Sequence, residues 1–303
     1  MNIAIIGYGR MAREYKRVIK RLNHKVCCFM KQKEVLEHIT PIVYNLNDLY
    51  SYEPDAIIIA VSQEETIRVL YNIRLNDLGI PLLVEKPVMF TDNDFKQFGY
   101  NPDEEHIRVG YNRRFYDVVN EIKVKIKKTD LNSVYVNLPE PIKKYKEAGI
   151  KELDEYPLHY SASHVIDLLF YLLGHVRIEC MDREKYGSFI GILKSREGVS
   201  ILLNINFNAP AHTEMTFNFE DEIWTLCPIE ELRIFDKLIK RNDNKYYRNI
   251  NKEIIENNNF KPGLLEQVKQ FLYFNKDDNL ATLEDARKVS NLCNEIIYGK
   301  EYN

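Results

Sequence analysis

No stretch of the 303 residues approaches the roughly 18 consecutive apolar residues that a membrane-spanning helix needs. The longest apolar runs, Ala56 to Val61 and Leu168 to Leu173, suit a buried strand and a buried helix face. Charge of one sign is not in excess either. The net charge is −3 and no basic stripe stands out, so a nucleic-acid partner is not expected. The N-terminus lacks a basic segment ahead of its apolar stretch, which glycines interrupt within the first ten residues. Neither a signal peptide nor a membrane partner is expected. Cysteine is scarce: five residues, at 27, 28, 180, 227 and 293, with no C-x-x-C spacing. Cys27 and Cys28 fall inside an apolar strand. Reduced core thiols of a cytoplasmic protein are expected, without disulfides and without a bound metal. There is no low-complexity segment and no internal repeat.

What the chain does contain suits a globular protein of two domains. An apolar content of 45% and a charged content of 29% are ordinary for that class, and the length allows two sizeable cores.

Asn2 to Ile6 reads as a buried strand, and Gly7-Tyr8-Gly9-Arg10-Met11-Ala12 follows it directly. A helix carrying Tyr15, Val18, Ile19 and Leu22 comes next. This is G-x-G-x-x-A between a strand and a helix, the context in which the motif binds a dinucleotide. Gly7 permits the tight turn, Gly9 lets a diphosphate approach the backbone, and Ala12 lets the helix pack closely on the sheet. The helix N-terminus offers free N–H groups and a positive dipole end to the phosphates. Gly7, Tyr8, Gly9, Arg10 and Met11 are therefore cofactor-binding candidates. The bland alternative is a turn whose glycines serve the turn alone.

Lys25 to Met30 reads as the second strand. A cofactor without a 2′-phosphate calls for Asp or Glu near its end, to hold the ribose hydroxyls. That place holds Met30, Lys31, Gln32 and Lys33, and no acid appears before Glu34. The missing carboxylate, with Lys31 and Arg10 nearby, favours NADP over NAD. Solvated loop lysines are the alternative.

Leu46 to Leu49 suggests a short helical turn, and Asp55 to Val61 the next buried strand. Ser62-Gln63-Glu64-Glu65-Thr66 caps a helix expected to reach about Leu78. Ala60, Val61 and Ser62 thus sit at a strand's carboxyl end, where open parallel sheets bind ligands. Pro81 to Val84 is a further buried strand, and it runs into Glu85-Lys86-Pro87. Lys86 is placed at the mouth of the crevice, where an ammonium can donate a proton. Pro87 stops the strand, and a cis bond before it would set the angle at which Lys86 leaves. A solvated charge pair is the alternative for Glu85 and Lys86. Phe95 begins a weaker helix, Ile107 to Tyr111 reads as the last strand, and Asn112-Arg113-Arg114-Phe115 leads into a helix from Val118 to Lys127. Strands alternating with helices over about 120 residues describe a doubly wound parallel sheet. This is an α/β Rossmann domain over residues 1–115.

From about residue 131 the texture changes. Ser133 to Leu138, Val176 to Met181, Ser188 to Lys194, Val199 to Phe207, Thr213 to Phe219 and Glu222 to Leu226 read as strands, several of them alternating. An α+β domain over 116–303 is expected, with a large, mostly antiparallel open sheet covered on one face. The covering helix is Ser161 to Leu173, ended by Gly174. The other face is expected to pair with a second subunit, giving a homodimer or homotetramer. Asn242 to Asn259 reads as surface loop with a weak hairpin. Helices near Leu264 to Phe274 and Leu283 to Tyr298 close the chain, and they are candidates to pack back on the first domain. His164 and Asp167 stand three apart and share a helix face. The imidazole suits proton transfer near neutral pH; a structural His–Asp bond is the alternative.

The chain resembles the glucose–fructose oxidoreductase / inositol dehydrogenase (Gfo/Idh/MocA) family. The resemblance rests on Gly7-x-Gly9-x-x-Ala12, Ala60-Val61-Ser62, Glu85-Lys86-Pro87 and Gly110-Tyr111-Asn112-Arg113-Arg114-Phe115. It continues in His164-Val165-Ile166-Asp167-Leu168-Leu169 and in Leu283-Glu284-Asp285-Ala286. It implies a Rossmann domain joined to an open-sheet domain, and NAD(P)-dependent oxidation or reduction of sugars, cyclitols and related compounds. It also implies that Lys86 and His164 lie in the active site.

One position departs from the family. Many relatives carry an aspartate four residues before the histidine, after a glycine pair; here that position is Tyr160, and no glycine pair precedes it. A tyrosine can donate a proton or hold a hydroxyl, but it is a poor base at neutral pH because its reference pKa is about 10. Either Tyr160 assists Lys86 and His164, or the substrate chemistry differs, or catalysis has been lost. The expected reaction moves a hydride between nicotinamide and a carbinol or carbonyl carbon, with Lys86, His164 and Tyr160 as catalytic candidates. Arg113, Arg114 and Asp167 are substrate-binding candidates. Arginine forks suit a phosphate or carboxylate, as in a sugar nucleotide or sugar acid. The alternative for the arginine pair is one structural salt bridge and one surface charge. A non-catalytic NAD(P)-binding sensor or assembly protein is the competing class.

Overall fold

The computed structural model describes residues 1–29, 42–43, 46–74, 79–101, 106–183, 187–256, 259–273 and 279–299. The chain divides into two compact units, Met1–Phe115 with Asn258–Lys288, and Tyr116–Asn257 with Val289–Asn303.

The first unit begins with β1 (Asn2–Ile6), α1 (Arg10–Arg21), β2 (Lys25–Phe29), β3 (Ile42–Val43), α2 (Leu46–Ser51) and β4 (Ala56–Ile59). It continues with α3 (Gln63–Arg74), β5 (Leu82–Val84), α4 (Asp92–Phe98) and β6 (Ile107–Val109). The second unit holds α5 (Asp117–Ile126), β7 (Leu131–Glu140), α6 (Ile142–Glu147), α7 (Ala162–Leu173) and β8 (Val176–Arg183). Its sheet goes on through β9 (Ser188–Ser195), β10 (Ser200–Phe207), β11 (Glu214–Phe219), β12 (Ile223–Leu226), β13 (Glu231–Lys240) and β14 (Tyr246–Ile255). The chain then returns to the first unit with α8 (Leu264–Leu272) and β15 (Ala281–Thr282), and ends in α9 (Leu283–Tyr298).

The first unit is a doubly wound sheet of order β15-β6-β5-β4-β1-β2-β3. Its strands are parallel except β15, which pairs antiparallel with β6. Ile107 to Tyr111 is therefore not the outer limit of the sheet; the strand ends at Val109, and a segment from far down the chain adds an edge. β1, β4, β5 and β6 are nearly continuous apolar runs because both faces are covered. On one face Ile3, Ile5, Tyr15, Val18 and Ile19 form a core with Leu264, Val268 and Phe271 of α8. The helix α4 starts on a capping box between Thr91 and Asp94 and stops at Gly99, whose φ of 69° suits a residue without Cβ.

The second unit is an eight-stranded sheet of order β14-β13-β12-β11-β7-β10-β9-β8. Only β7 and β10 run parallel to each other. Val134, Val136 and Leu138 of β7 are buried, while Ser133, Tyr135 and Asn137 between them are half-buried. The α7 helix is buried almost throughout and ends at Gly174, as its apolar stripe indicates. The half-exposed sheet face is mostly a ladder of side-chain hydrogen bonds. Asn204 donates to Asn137, Asn206 to Asn204, Ser188 to Asn206, and Asn218 to Ser133. Ile190, Ile192 and Leu202 form an exposed apolar group beside it.

Of the surface loop with a weak hairpin expected over Asn242 to Asn259, the hairpin is present and the loop is corrected. Most of it is strand β14, paired with β13 in a long hairpin that turns at Asn242 to Asn244. The alternation of β14 is faint because neither face is well covered, and its Arg248 and Lys252 suit a protected sheet edge. Two expectations lie partly outside the described residues: the Met30 end of β2 and the Leu75 to Leu78 end of α3.

Candidate active site

The carboxyl ends of four strands are brought level by short backbone bonds. Gly7 N–H donates to Phe29 O, Ala60 to Ile6 O, Glu85 to Ile59 O and Gly110 to Val84 O, at 2.8–2.9 Å. Gly7, Ala60, Glu85 and Gly110 thus share one edge of the sheet, where an open parallel sheet binds its ligands. Val61 and Ser62 continue from Ala60, and the Ser62 carbonyl starts α3 by accepting from the N–H groups of Glu65 and Thr66.

Gly7 has φ +107°, and a Cβ built on it would lie 2.2 Å from the Ala60 carbonyl oxygen. No other residue type fits there. A Cβ on Gly9 meets nothing within 4 Å, so the backbone is open at the point where α1 begins. Gly9 is the N-cap of α1, no side chain caps the helix, and its first turn holds no acid. The N–H groups of Arg10 and Met11 and the positive dipole end are therefore available to an anion. Tyr8 beside them is half-buried, with Lys16 5.5 Å from its ring centroid. The geometry fits a dinucleotide diphosphate.

At the end of β5, Glu85 and Lys86 are half-buried, and the Lys86–Pro87 bond is cis. The hydroxyl of fully buried Tyr15 donates to Glu85 Oε1 at 2.6 Å and lies 3.3 Å from Oε1 of Gln267, also fully buried. Burial pushes the Glu85 carboxyl above its ordinary value, while Tyr15, Lys261 and Lys86 pull it back. Burial, and then the Glu85 charge, raise the Tyr15 hydroxyl well above its ordinary value. A Cβ on Gly110 would lie 3.1 Å from Tyr15 Oη and 3.2 Å from Glu85 Oε1. That glycine makes room for the pair.

Lys261 enters the same edge from the returning segment. Its Nζ lies 3.0 Å from Met11 Sδ, across 250 residues of chain. Burial lowers its amine below the ordinary lysine value; Glu85 opposes this, and Arg10 and Arg113 add to it. Asn112 Nδ2 donates to Pro262 O at 2.8 Å and fastens the Lys261 segment to the Asn112–Phe115 turn.

The two arginines of that turn separate. Arg114 is buried and pairs with Asp285 at 3.3 Å, so it matches the structural salt bridge. Arg113 is half-buried, and its Nη1 has no hydrogen-bond partner among the described residues. Lys31, the residue read as favouring a 2′-phosphate, lies outside the described residues.

Tyr160, His164 and Asp167 belong to the second unit. His164 and Asp167 are buried, one turn apart on α7. Tyr160 precedes the helix; its hydroxyl donates to Glu152 Oε2 at 3.0 Å and its ring packs on Tyr145. A carboxylate therefore does accompany this position, supplied by Glu152 from eight residues upstream.

Solved structures align over nearly the whole chain. A dehydrogenase from Clostridium difficile superposes with a TM-score of 0.71 at 18% identity, covering 98% of each chain. UDP-N-acetylglucosamine 3-dehydrogenase from Acidithiobacillus ferrooxidans gives 0.74 at 14% identity, covering 99% of this chain and 97% of its own. A Gfo/Idh/MocA family oxidoreductase from Vibrio cholerae gives 0.65 at 16%, covering 99% and 96%. The fold is that of the Gfo/Idh/MocA oxidoreductases. No protein-family model and no curated protein matches the sequence. At these identities the Gfo/Idh/MocA likeness rests on architecture, and the site residues rest on the geometry above. Lys261, Gln267 and Glu152 carry no motif; only the folded chain shows them.

Proposed function

We propose that the chain is an NAD(P)-dependent oxidoreductase acting on the CH–OH or C=O group of a sugar, sugar nucleotide or related polyhydroxylated compound. The observation that carries this is the shared strand edge, with the open Gly9 backbone and uncapped α1 N-terminus on one strand and Glu85-Lys86 on another. The bound nicotinamide would supply the hydride donor or acceptor. The chain's residues handle the rest. When a carbinol is oxidised, its carbon loses a hydride and its oxygen a proton; Lys86 is the group in the first unit that takes or returns that proton. The neighbouring carboxyl–phenol pair of Glu85 and Tyr15 holds the strand end that carries it. His164 and Tyr160 are the second unit's candidates for substrate chemistry, with Asp167 behind His164. Arg113 is kept as a candidate for an anionic substrate group, and Arg114 is assigned to the fold. NADP is favoured over NAD by Arg10 and by the sequence after β2. The UDP-sugar substrate of one structural relative makes sugar nucleotides the first class to screen. The half-exposed sheet face with Ile190, Ile192 and Leu202 supports assembly of two or four copies.

The deciding experiment has two stages. A thermal-shift screen with NADP and NAD, then with sugar nucleotides and sugar acids added, finds the ligands that bind the native state. Absorbance at the NAD(P)H band then reads turnover. Lys86→Ala should keep the cofactor shift and lose turnover; normal turnover in that variant ends the reading. The second reading, a sensor without catalysis, is favoured by tyrosine at position 160. It predicts a cofactor shift with no turnover on any panel.

A further inference from the structure

We propose that Lys261 is a cofactor clamp, an ammonium delivered by the returning segment to hold the diphosphate on the Gly7–Ala12 turn. The proposal rests on the dinucleotide reading and deepens it.

Three observations carry it. The first is the poverty of protein partners. Among the described residues Lys261 Nζ has one hydrogen-bond neighbour, the Met11 thioether at 3.0 Å. An ammonium has three donors and a thioether is a weak acceptor, so this half-buried lysine keeps donors that no protein oxygen takes up among the described residues.

The second is the local charge. Arg10 and Arg113 act on the Lys261 amine with the same sign, and Glu85 and Glu14 with the opposite one. Glu85 is hydrogen-bonded to Tyr15, and Glu14 is paired with Arg17 at 2.9 Å. Glu14 is thus shared with Arg17, while Glu85, whose bond from a neutral phenol leaves its charge in place, offsets the two arginines in part; with Lys261 itself, three cations act on one another here. Such crowding is costly unless an anion joins it. A diphosphate brings two negative charges.

The third is placement. Met11 is the second residue of α1, so Lys261 stands at the uncapped N-terminus beside the open Gly9 backbone. The Asn112–Pro262 bond and the packing of α8 on α1 hold the segment there, so the cation is positioned before a ligand arrives.

The test is a calorimetric titration of the full chain with ADP-ribose, which carries the diphosphate but no nicotinamide, and with adenosine, which carries no phosphate. Lys261→Met should bind ADP-ribose about 10- to 100-fold more weakly, the span expected for one charge-assisted contact. Its adenosine binding should be unchanged, and Lys261→Arg should recover most of the loss. Equal ADP-ribose affinity in wild type and Lys261→Met overturns the clamp while leaving the dinucleotide reading standing. A wild type that binds neither ADP-ribose nor NAD(P) removes both. Unliganded melting temperatures of the two variants within a few degrees of wild type show that the loss is one of binding.

Discussion

Tyr15 and Glu85, seventy residues apart, are joined by a 2.6 Å hydrogen bond that ties helix α1 to the end of strand β5. The carboxylate next to Lys86 is thereby held by the helix that opens the cofactor turn. Gly110 leaves the space for it.

Tyr15→Phe removes the donor and leaves the half-buried Glu85 carboxyl without it. We expect a loss of about 1–3 kcal/mol in urea unfolding. Burial raises the Glu85 carboxyl, so its contribution is fully present below the unfolded value of about 4.3 and is lost as pH rises through the folded value. Glu85→Gln cannot ionise. Its stability relative to wild type should therefore climb as pH rises above about 4.3 and level off above the folded value; a flat difference would contradict the assignment.

The two glycines of the turn should behave oppositely. Gly7→Ala drives a Cβ to 2.2 Å from the Ala60 carbonyl oxygen at positive φ, and should cost at least about 3 kcal/mol or prevent folding. Gly9→Ala meets open space at an ordinary φ of −68°, so its melting temperature should barely move. Its affinity for ADP-ribose should fall, because the new methyl stands where the diphosphate approaches. Unchanged affinity in Gly9→Ala would place the ligand elsewhere.

Trp224 is the only tryptophan and reports on one cluster. Its Nε1 donates to Glu222 Oε2 at 2.9 Å, and Lys125 Nζ lies 2.7 Å from the same oxygen. The Lys125 hydrogen bond holds the Glu222 carboxyl below its ordinary value. Its stabilisation is present above the unfolded value and lost as pH falls through the folded one. Tryptophan emission should titrate with a midpoint below about 4.3, and Lys125→Met should raise that midpoint. No change in Lys125→Met would show that the ion pair does not set it.

Asp285 has two tasks: it pairs with buried Arg114, and it caps α9 by exchanging hydrogen bonds with Thr282. Asp285→Ala should destabilise by about 1–3 kcal/mol, from the lost cap and the lost ion pair with Arg114. ADP-ribose affinity of the folded fraction should be unaltered. A selective loss of affinity would return Arg114 to the list of binding residues.

The sequence by itself determined the parts that depend on neighbours along the chain. The strand–turn–helix at Gly7, the apolar strand ending at Glu85-Lys86, the stripe of α7 and the alternation of β7 to β11 all follow from local sterics and a fixed period. These patterns sufficed for the fold class, and they point to the strand edge proposed as the site. Only the tertiary structure decided that Lys261 and Gln267 complete that edge, that Arg114 is spent on Asp285 while Arg113 is not, and that Glu152 accompanies Tyr160. It also made a strand of Tyr246–Ile255, whose partner supplies the backbone bonds that its weak pattern does not announce. Contacts between residues up to 252 positions apart depend on how the chain returns on itself. Spacing along the sequence holds no record of that return, because burial and charge act through space.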